Sequence, residues 1–343
     1  MRFALSPEQL DFGTSLRKLL DAGHTPAAVR AWAGGDAQPG RALIRQLAGA
    51  GALGLAVEEQ HGGMGAEPID LVVAFQEIGR AAAPGPVVET AAAIPALLQA
   101  LPDSDLAQRW LPGFAEGAAL GTVTFAAPGR APVALDADIA DVVLIVVGDR
   151  LCAARRDEPV RSIDPARRLF RITPEEVLAE GALVLEAGAA AFDAGALAGA
   201  AQLLGAGRAL LHAATEYAKQ RKQFGKPIGE FQAVKQKLAD VLIGLDLAEP
   251  LLFRAALTIA EPTRGRDVSA AVIACGDAAY AAARAALQVH GAIGYTAEYD
   301  LSLWLTKVTA LRSAWGTADL HRSRIAATLR DEAARDRALR GTA

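Results

Sequence analysis

Tyr217-Ala-Lys-Gln-Arg-Lys-Gln-Phe-Gly-Lys-Pro-Ile-Gly-Glu-Phe-Gln232, continued by Ala233-Val-Lys-Gln-Lys-Leu-Ala-Asp240, decides how the rest of the chain is read. Upstream, residues 189–219 are poor in β-branched side chains, which favours one long helix. Downstream, Phe231, Val234, Leu238, Val241, Leu242 and Leu245 recur at helical spacing. Gly225, Pro227 and Gly229 mark a break between the two. The expected result is a helical hairpin whose corner carries Arg221, Lys222, Gln223, Phe224 and Gln232. A guanidinium, an aromatic plate and an amide at one corner suit the phosphates and ring of a nucleotide. The same residues also describe an ordinary basic helix end, where cations meet the last carbonyls.

Working outward, the 343 residues allow one large domain or two to three small ones, with ample length for a core. Hydrophobic residues make up 52% and aromatics 5%, so the core is built mainly from Ala, Leu and Val. Ala and Leu are strong helix formers, and a mostly helical protein follows. The net charge of −4 gives no general attraction to nucleic acid. Cys152 and Cys275 are isolated, without metal or redox spacing, and read as buried thiols of a protein in a reducing compartment. Glu8 and Asp11 interrupt the first apolar residues, which argues against a signal peptide. The longest uncharged run of the central helix, residues 194–207, is too short to span a bilayer. A cytoplasmic protein without a membrane segment is the expectation.

Ser6-Pro7-Glu8-Gln9 opens the first helix: Ser6 can cap it, Pro7 suits the first turn and Gln9 can close a capping box. Leu5 and Leu10 stand where a hydrophobic staple would place them. Further helices are predicted at 26–32, 41–50, 68–83 and 87–101, with the glycine-rich loop 58–65 between two of them. That loop follows no strand and lacks the dinucleotide fingerprint, so it reads as a tight interhelical connection. From residue 120 the composition shifts. Residues 122–125, 142–147 and 182–185 read as strands, and 155–171 as charged surface loop with a short strand. Long helices then follow at about 189–219, 230–260, 267–290, 299–315 and 317–338, which suggests an antiparallel bundle. His212 and His290 are expected in the core or an interface, and His24, His61 and His321 at the surface; none has a partner at metal spacing, so no metal site is expected.

The motif Arg221-Lys-Gln-Phe-Gly-Lys-Pro-Ile228, with Phe231-Gln232 and Leu238-Ala-Asp240 after it, resembles the flavin-binding corner of acyl-CoA dehydrogenases. Gln288-Val-His-Gly-Ala-Ile-Gly-Tyr-Thr-Ala-Glu298-Tyr is similar to that family's second signature, in the family's order and spacing. The resemblance implies an N-terminal helical domain (1–119), a truncated middle β domain (120–187) and a C-terminal four-helix bundle (188–343). It implies FAD as cofactor and α,β-dehydrogenation of an acyl-CoA thioester, with an acceptor flavoprotein taking the electrons. It further implies that Arg221, Phe224, Gln232, Gln288 and Gly291 hold the FAD of a neighbouring subunit, and that Gly316 and Thr317 open the last helix beside a phosphate or flavin oxygen.

Where the chain departs from the family, the departures concern catalysis. The α proton of the thioester goes to a carboxylate desolvated by the acyl chain. The family's usual position for it, before a Gly-Thr pair, is here Trp315, and an indole is no base. The alternative position, on the long helix before the Arg221 corner, is Gly195. Asp193 is the nearest carboxylate, but two residues along a helix is about 200° of rotation, which turns it away. Glu186 is expected at a strand end and is weaker still. The family's Thr-Glu-Pro-type segment is Thr124-Phe125-Ala-Ala-Pro128, without the acidic residue, and its Trp-Ile-Thr-type strand has no counterpart here. The pattern resembles the reduced subunit of heteromeric acyl-CoA dehydrogenases. Two alternatives stay open: an active homo-oligomer with a displaced base, and a non-enzymatic acyl-CoA-binding scaffold.

Overall fold

The computed structural model describes residues 4–101 and 105–341. Mostly helical, it carries one small sheet between two sets of helices. The first set is α1 (Pro7–Ala22), α2 (Thr25–Ala33), α3 (Gln38–Gly49), α4 (Pro68–Arg80), α5 (Ile94–Gln99) and α6 (Leu106–Ala115). The Ser6/Gln9 capping box closes α1 as the sequence predicts, whereas Leu10, expected in a staple with Leu5, is exposed. The glycine-rich loop folds as a tight connection around a single turn at Glu59–His61. Helix α6 has no counterpart among the predicted helices.

A π-helical turn, Glu89–Ala93, leads into α5, with the Ile94 N–H donating five residues back to Glu89. Pro95 sits in the first turn of α5 without an N–H to give to the carbonyl four residues before it. A widened turn beside such a gap is a common setting for functional side chains. Thr90 pins this turn to the sheet: its Oγ1 donates to the Gly121 carbonyl (3.0 Å) and accepts from the Gly121 N–H (3.1 Å).

The sheet contains β1 (Gly121–Phe125), β2 (Val133–Leu135), β3 (Val142–Val147), β4 (Arg150–Val160) and β5 (Leu169–Glu180), in the order β1-β3-β4-β5-β2. β1 and β3 run parallel and the other pairs antiparallel. Alternate β3 residues serve different cores: Leu144 and Val146 face the main one, while Ile145 packs with Cys152 and Phe170 on the other face. Two expectations are corrected here. Of residues 155–171, expected as charged loop with a short strand, 161–168 do form a loop, but the two ends belong to the long strands β4 and β5, whose exposed charges pair across the strands, as in Arg155–Glu175 (2.9 Å) and Arg171–Glu158 (2.8 Å). Residues 182–185, expected as a strand, are the first turn of a helix. An apolar run of four fits either element, and here tertiary context chooses.

That helix, α7 (Ala182–Gln220), is the axis of the molecule. It packs against α4, α8 (Gln232–Leu257), α9 (Arg264–His290) and α10 (Leu301–Ala314), and α11 (Ala318–Gly341) closes over α9. A side chain at Gly205 would overlap the Gln76 carbonyl of α4, so glycine sets how closely α4 and α7 approach. By length and composition α7 and the helix that begins at Arg264 are apolar enough to cross a membrane, but over half of each such stretch is buried inside the fold. Cys152 and Cys275 are both buried free thiols.

Candidate active site

A cleft of about 690 Å³ lies where the sheet meets the helices. Its wall includes Phe125 at the end of β1, Phe192 of α7, and the segment Ser313–Thr317 that joins α10 to α11. Trp315, one of the two positions expected for a base, is buried and points its indole at the other. A side chain at Gly195 would overlap the six-membered ring of that indole, and a methyl group at Gly199 would stand 3.1 Å from Cδ1. The absence of side chains on one face of α7 is therefore what makes room for Trp315. The two positions named from the family's alternatives face each other in space, and an indole occupies the room between them.

The indole belongs to an aromatic group. Phe125 meets Phe192 edge-on at 5.8 Å and Trp315 at 6.1 Å, and Phe192 meets Trp315 at 6.3 Å. His321 holds the segment from behind: its Nε2 donates to the Trp315 carbonyl (2.8 Å), which fixes the tautomer, and Nδ1 accepts from the Ser269 hydroxyl (3.1 Å). Expected at the surface, His321 is fully buried because the turn before α11 folds over it. Burial lowers its pKa, which keeps the ring neutral. Gly316 adopts a φ of +98°, and a side chain there would press on His321 and Leu320. Thr317 caps α11 by accepting from the Leu320 N–H (3.3 Å). The Gly-Thr pair thus has a structural reason of its own.

Asp193 is no base. Its Oδ2 accepts from Arg264 Nε of α9 (2.9 Å) and its Oδ1 from Arg324 Nη2 of α11 (2.6 Å), and it is 1% exposed. Both oxygens are engaged in tying three helices together. Glu186 is exposed on the first turns of α7 and ends no strand.

The carboxylate that does line the cleft is Glu89, from the π-helical turn. It is 5% exposed, and its Oε2 has no hydrogen-bond partner. Burial raises its pKa, partly offset by the charges of Arg167 and Lys307. Lys307 does not bind it directly; its ammonium donates to the Ala83 carbonyl (2.5 Å) and, more weakly, to Ala82. Sequence reasoning missed Glu89. The available signal was its isolation as the sole ionisable group between Arg80 and Asp103.

At the α7–α8 corner the break is a two-stranded ribbon, β6 (Lys222–Gln223) and β7 (Lys226–Pro227). Its central residues, Phe224 and Gly225, have φ of 51° and 81°, as a type I′ turn requires. A non-glycine residue held at positive φ is strained, and strain of this kind gathers at functional sites. Phe224 is 93% exposed, and its ring meets Phe231 edge-on at 6.2 Å. Arg221 is exposed and makes no side-chain hydrogen bond or ion pair among the described residues. Gln232 opens α8 and is also exposed. Gln288 and Gly291 line a separate groove of about 1080 Å³ between α8 and α9, together with Lys237, Asp240 and Arg284. His290 is buried beside it, stacked on Tyr217 at 4.2 Å, while His212 is exposed in the single chain. The sequence-predicted residues therefore fall on a corner, a groove and a cleft.

Two family models match the chain: acyl-CoA dehydrogenase, N-terminal domain, over residues 6–118, and acyl-CoA dehydrogenase, C-terminal domain, over residues 186–330. The acyl-CoA dehydrogenase IpdE2 of Mycobacterium tuberculosis is 35% identical over 294 residues, spanning 82% of this chain and 85% of that protein. IpdE2 of Mycolicibacterium smegmatis is 31% identical over 88% of this chain and 93% of its own length. In fold, the chain is similar to a structure of the ChsE4–ChsE5 complex from Mycobacterium tuberculosis, with a TM-score of 0.81, 23% identity, and coverage of 96% of this chain and 99% of that one.

Proposed function

The chain belongs to the acyl-CoA dehydrogenase family, and from that premise we propose that it is a subunit which completes a partner's FAD site while its own cleft lacks a base. The observation that carries this reading is the contact between Trp315 and Gly195. Both positions from which the family's carboxylate would act are present, adjacent, and filled by a side chain that cannot accept a proton. FAD, where it is bound, accepts the β hydride of the acyl group. The fit of this chain to that cofactor differs between its two halves. Arg221, exposed and unpaired, suits a pyrophosphate, and Phe224 an adenine ring alongside it. The inner end of the cleft suits a flavin ring poorly, because the side chains of Phe125, Phe192 and Trp315 fill it with an aromatic group. No step of the reaction is therefore assigned to this chain's own cleft.

The surface supports assembly with a partner. Ile243, Leu247 and Leu251 recur every four residues along α8, at 56%, 69% and 39% exposure. A stripe of this kind on a bundle helix is an interface in search of a second face. It lies on the helix that bounds the groove of Gln288 and Gly291, so an oligomer formed there would bring a second chain to those residues. The similarity in fold to a complex of two differently named chains agrees with a heteromer. A homo-oligomer with a displaced base is the second reading, and Glu89 is the carboxylate that favours it, being the one acidic residue among those lining the cleft.

The experiment is substitution at Arg221 in the flavin-bearing assembly. Arg221→Ala is expected to weaken flavin retention by about 1.5–3 kcal/mol, or about tenfold to a hundredfold. Flavin content unchanged after dialysis would remove Arg221 from the site. Turnover of an acyl-CoA by the isolated chain, abolished by Glu89→Gln, would establish the second reading instead.

A further inference from the structure

Behind the strands that wall the cleft lies a buried polar group with no part in the site. Leu135 of β2 and Leu169 of β5 face the cleft; Asp136 directly follows the first and Arg168 directly precedes the second. Asp136 is 0% exposed. Its Oδ1 accepts from the Trp32 indole N–H of α2 (2.9 Å) and from Arg168 Nε (3.3 Å). Arg168 Nη1 also meets Asp138 Oδ2 at 3.0 Å, and its guanidinium lies over the Trp32 ring at 5.5 Å. Two carboxyl groups thus share one guanidinium inside the fold. Asp136 Oδ2, Asp138 Oδ1 and Arg168 Nη2 have no hydrogen-bond partner among the described residues.

The surroundings hold this group from both sides. Asp136 adopts a φ of +50°, a conformation that Asp tolerates better than most side chains. Its N–H donates to the Arg168 carbonyl (2.6 Å), and its own carbonyl accepts from the N–H groups of Ile139 (3.1 Å) and Ala140 (3.2 Å). The carboxyl cannot turn toward water while those bonds last. Trp32 is clasped from the other side: a side chain at Gly40 of α3 would overlap its ring, and one at Gly85 would come within 3.3 Å of it. Arg41 of α3 donates to the Ile139 carbonyl in the same turn. The charges that face Asp136 are Arg168 and Asp138 beside it, Arg167 from the loop before β5 and Lys307 from α10. Lys307 in turn faces Asp164 and Glu89.

Two carboxylates on one guanidinium leave a surplus negative charge, and burial makes that surplus costly. A proton on Asp136 removes it. Burial accordingly raises the Asp136 pKa to about 7, against the pull of the Trp32 bond and of Arg168 and Arg167. By linkage, the packed arrangement is fully favoured below the ordinary carboxylate range and weakens as the pH rises through about 7. We propose that Asp136, Arg168 and Trp32 form a proton-controlled latch between α2 and the sheet, which closes on protonation of Asp136, holds the Leu135 and Leu169 wall of the cleft against the helices, and loosens on ionisation. The latch goes beyond the subunit reading and does not rest on it, since neither a flavin nor a partner takes part.

The test is heteronuclear NMR of the isotope-labelled full chain, titrated from about pH 5 to about pH 9. The indole N–H signal of Trp32 is assigned by its loss in Trp32→Phe. That signal is expected to shift with a midpoint at about pH 7, and the backbone amides of Leu135 and Leu169 to move with the same midpoint. Asp136→Asn, which carries no charge at any pH, is expected to abolish the transition. Asp138→Asn leaves the guanidinium to Asp136 alone, which favours its ionised form, and should move the midpoint to lower pH. An indole signal that does not titrate overturns the proposal, as does a transition that persists in Asp136→Asn. Titration of the indole with Leu135 and Leu169 unmoved also overturns it, because the proton would then act on Trp32 without reaching the wall. Where Asp136→Asn fails to fold, Asp138→Asn decides, and an unmoved midpoint there counts against the latch. Flavin content enters none of these readings, so failure here is distinct from failure of the subunit reading.

Discussion

Trp315→Ala is expected to lower the stability of the fold by about 3–5 kcal/mol while conferring no dehydrogenation of acyl-CoA on the isolated chain. The indole is 6% exposed and packs on Gly195, Gly199, Phe125 and Phe192, so its removal strips the packing from a rigid aromatic group at the wall of the cleft. The surrounding helices are fixed by other contacts, notably the close approach of α4 and α7 at Gly205, and they cannot collapse to fill the space left. The partnership with Gly195 makes the case sharper. Gly195→Ala alone forces a methyl group into the ring and is expected to cost about 1–3 kcal/mol by overpacking. In the Trp315→Ala background the same methyl enters vacated space, so the two costs should fall short of additivity by more than about 1 kcal/mol. Denaturant midpoints of the four proteins give the coupling. Strict additivity would mean that the two residues do not share that space.

Asp193→Ala is expected to cost about 3 kcal/mol, toward the low end for breaking a buried ion pair because Arg264 and Arg324 keep some contact with water. Its two bonds join α7 to α9 and α11, and Arg324 also lies over the Phe192 ring at 5.2 Å. Loss of the carboxylate therefore loosens the last helix and, through Phe192, the wall of the cleft. Asp193→Asn keeps one acceptor and should fall between. The denaturant midpoint checks the size of the effect. A turnover defect with an unchanged midpoint would mark Asp193 as the base after all, against the geometry of its two arginine partners.

The sequence reveals the frame of this protein better than its site. The bundle helices show because each repeats apolar residues at helical spacing over many turns, and β3 shows because its six apolar residues end at a tight turn. β4 and β5 escape notice because their polar faces are charged: Arg155, Asp157, Glu158 and Arg171 read as loop until cross-strand pairing is seen. Helix α6 is hidden by Pro112 and Gly113 within it. In the site, the corner at Arg221 and the presence of Trp315 before the Gly316-Thr317 pair can be read from the sequence motifs. The packing of Trp315 on Gly195 cannot, since 120 residues separate them. Nor can the burial of His321 or the orphaned oxygen of Glu89, which depend on how a turn folds and on what happens to lie beyond one side chain.

As a proposed subunit, this chain supplies the nucleotide-binding corner of a flavin site without holding a flavin ring for itself. The most direct test is the visible absorbance of the chain purified without a partner, read against protein concentration. A pale protein with far less than one flavin per chain is expected. One tightly bound FAD per chain, in a homo-oligomer purified alone, would contradict it.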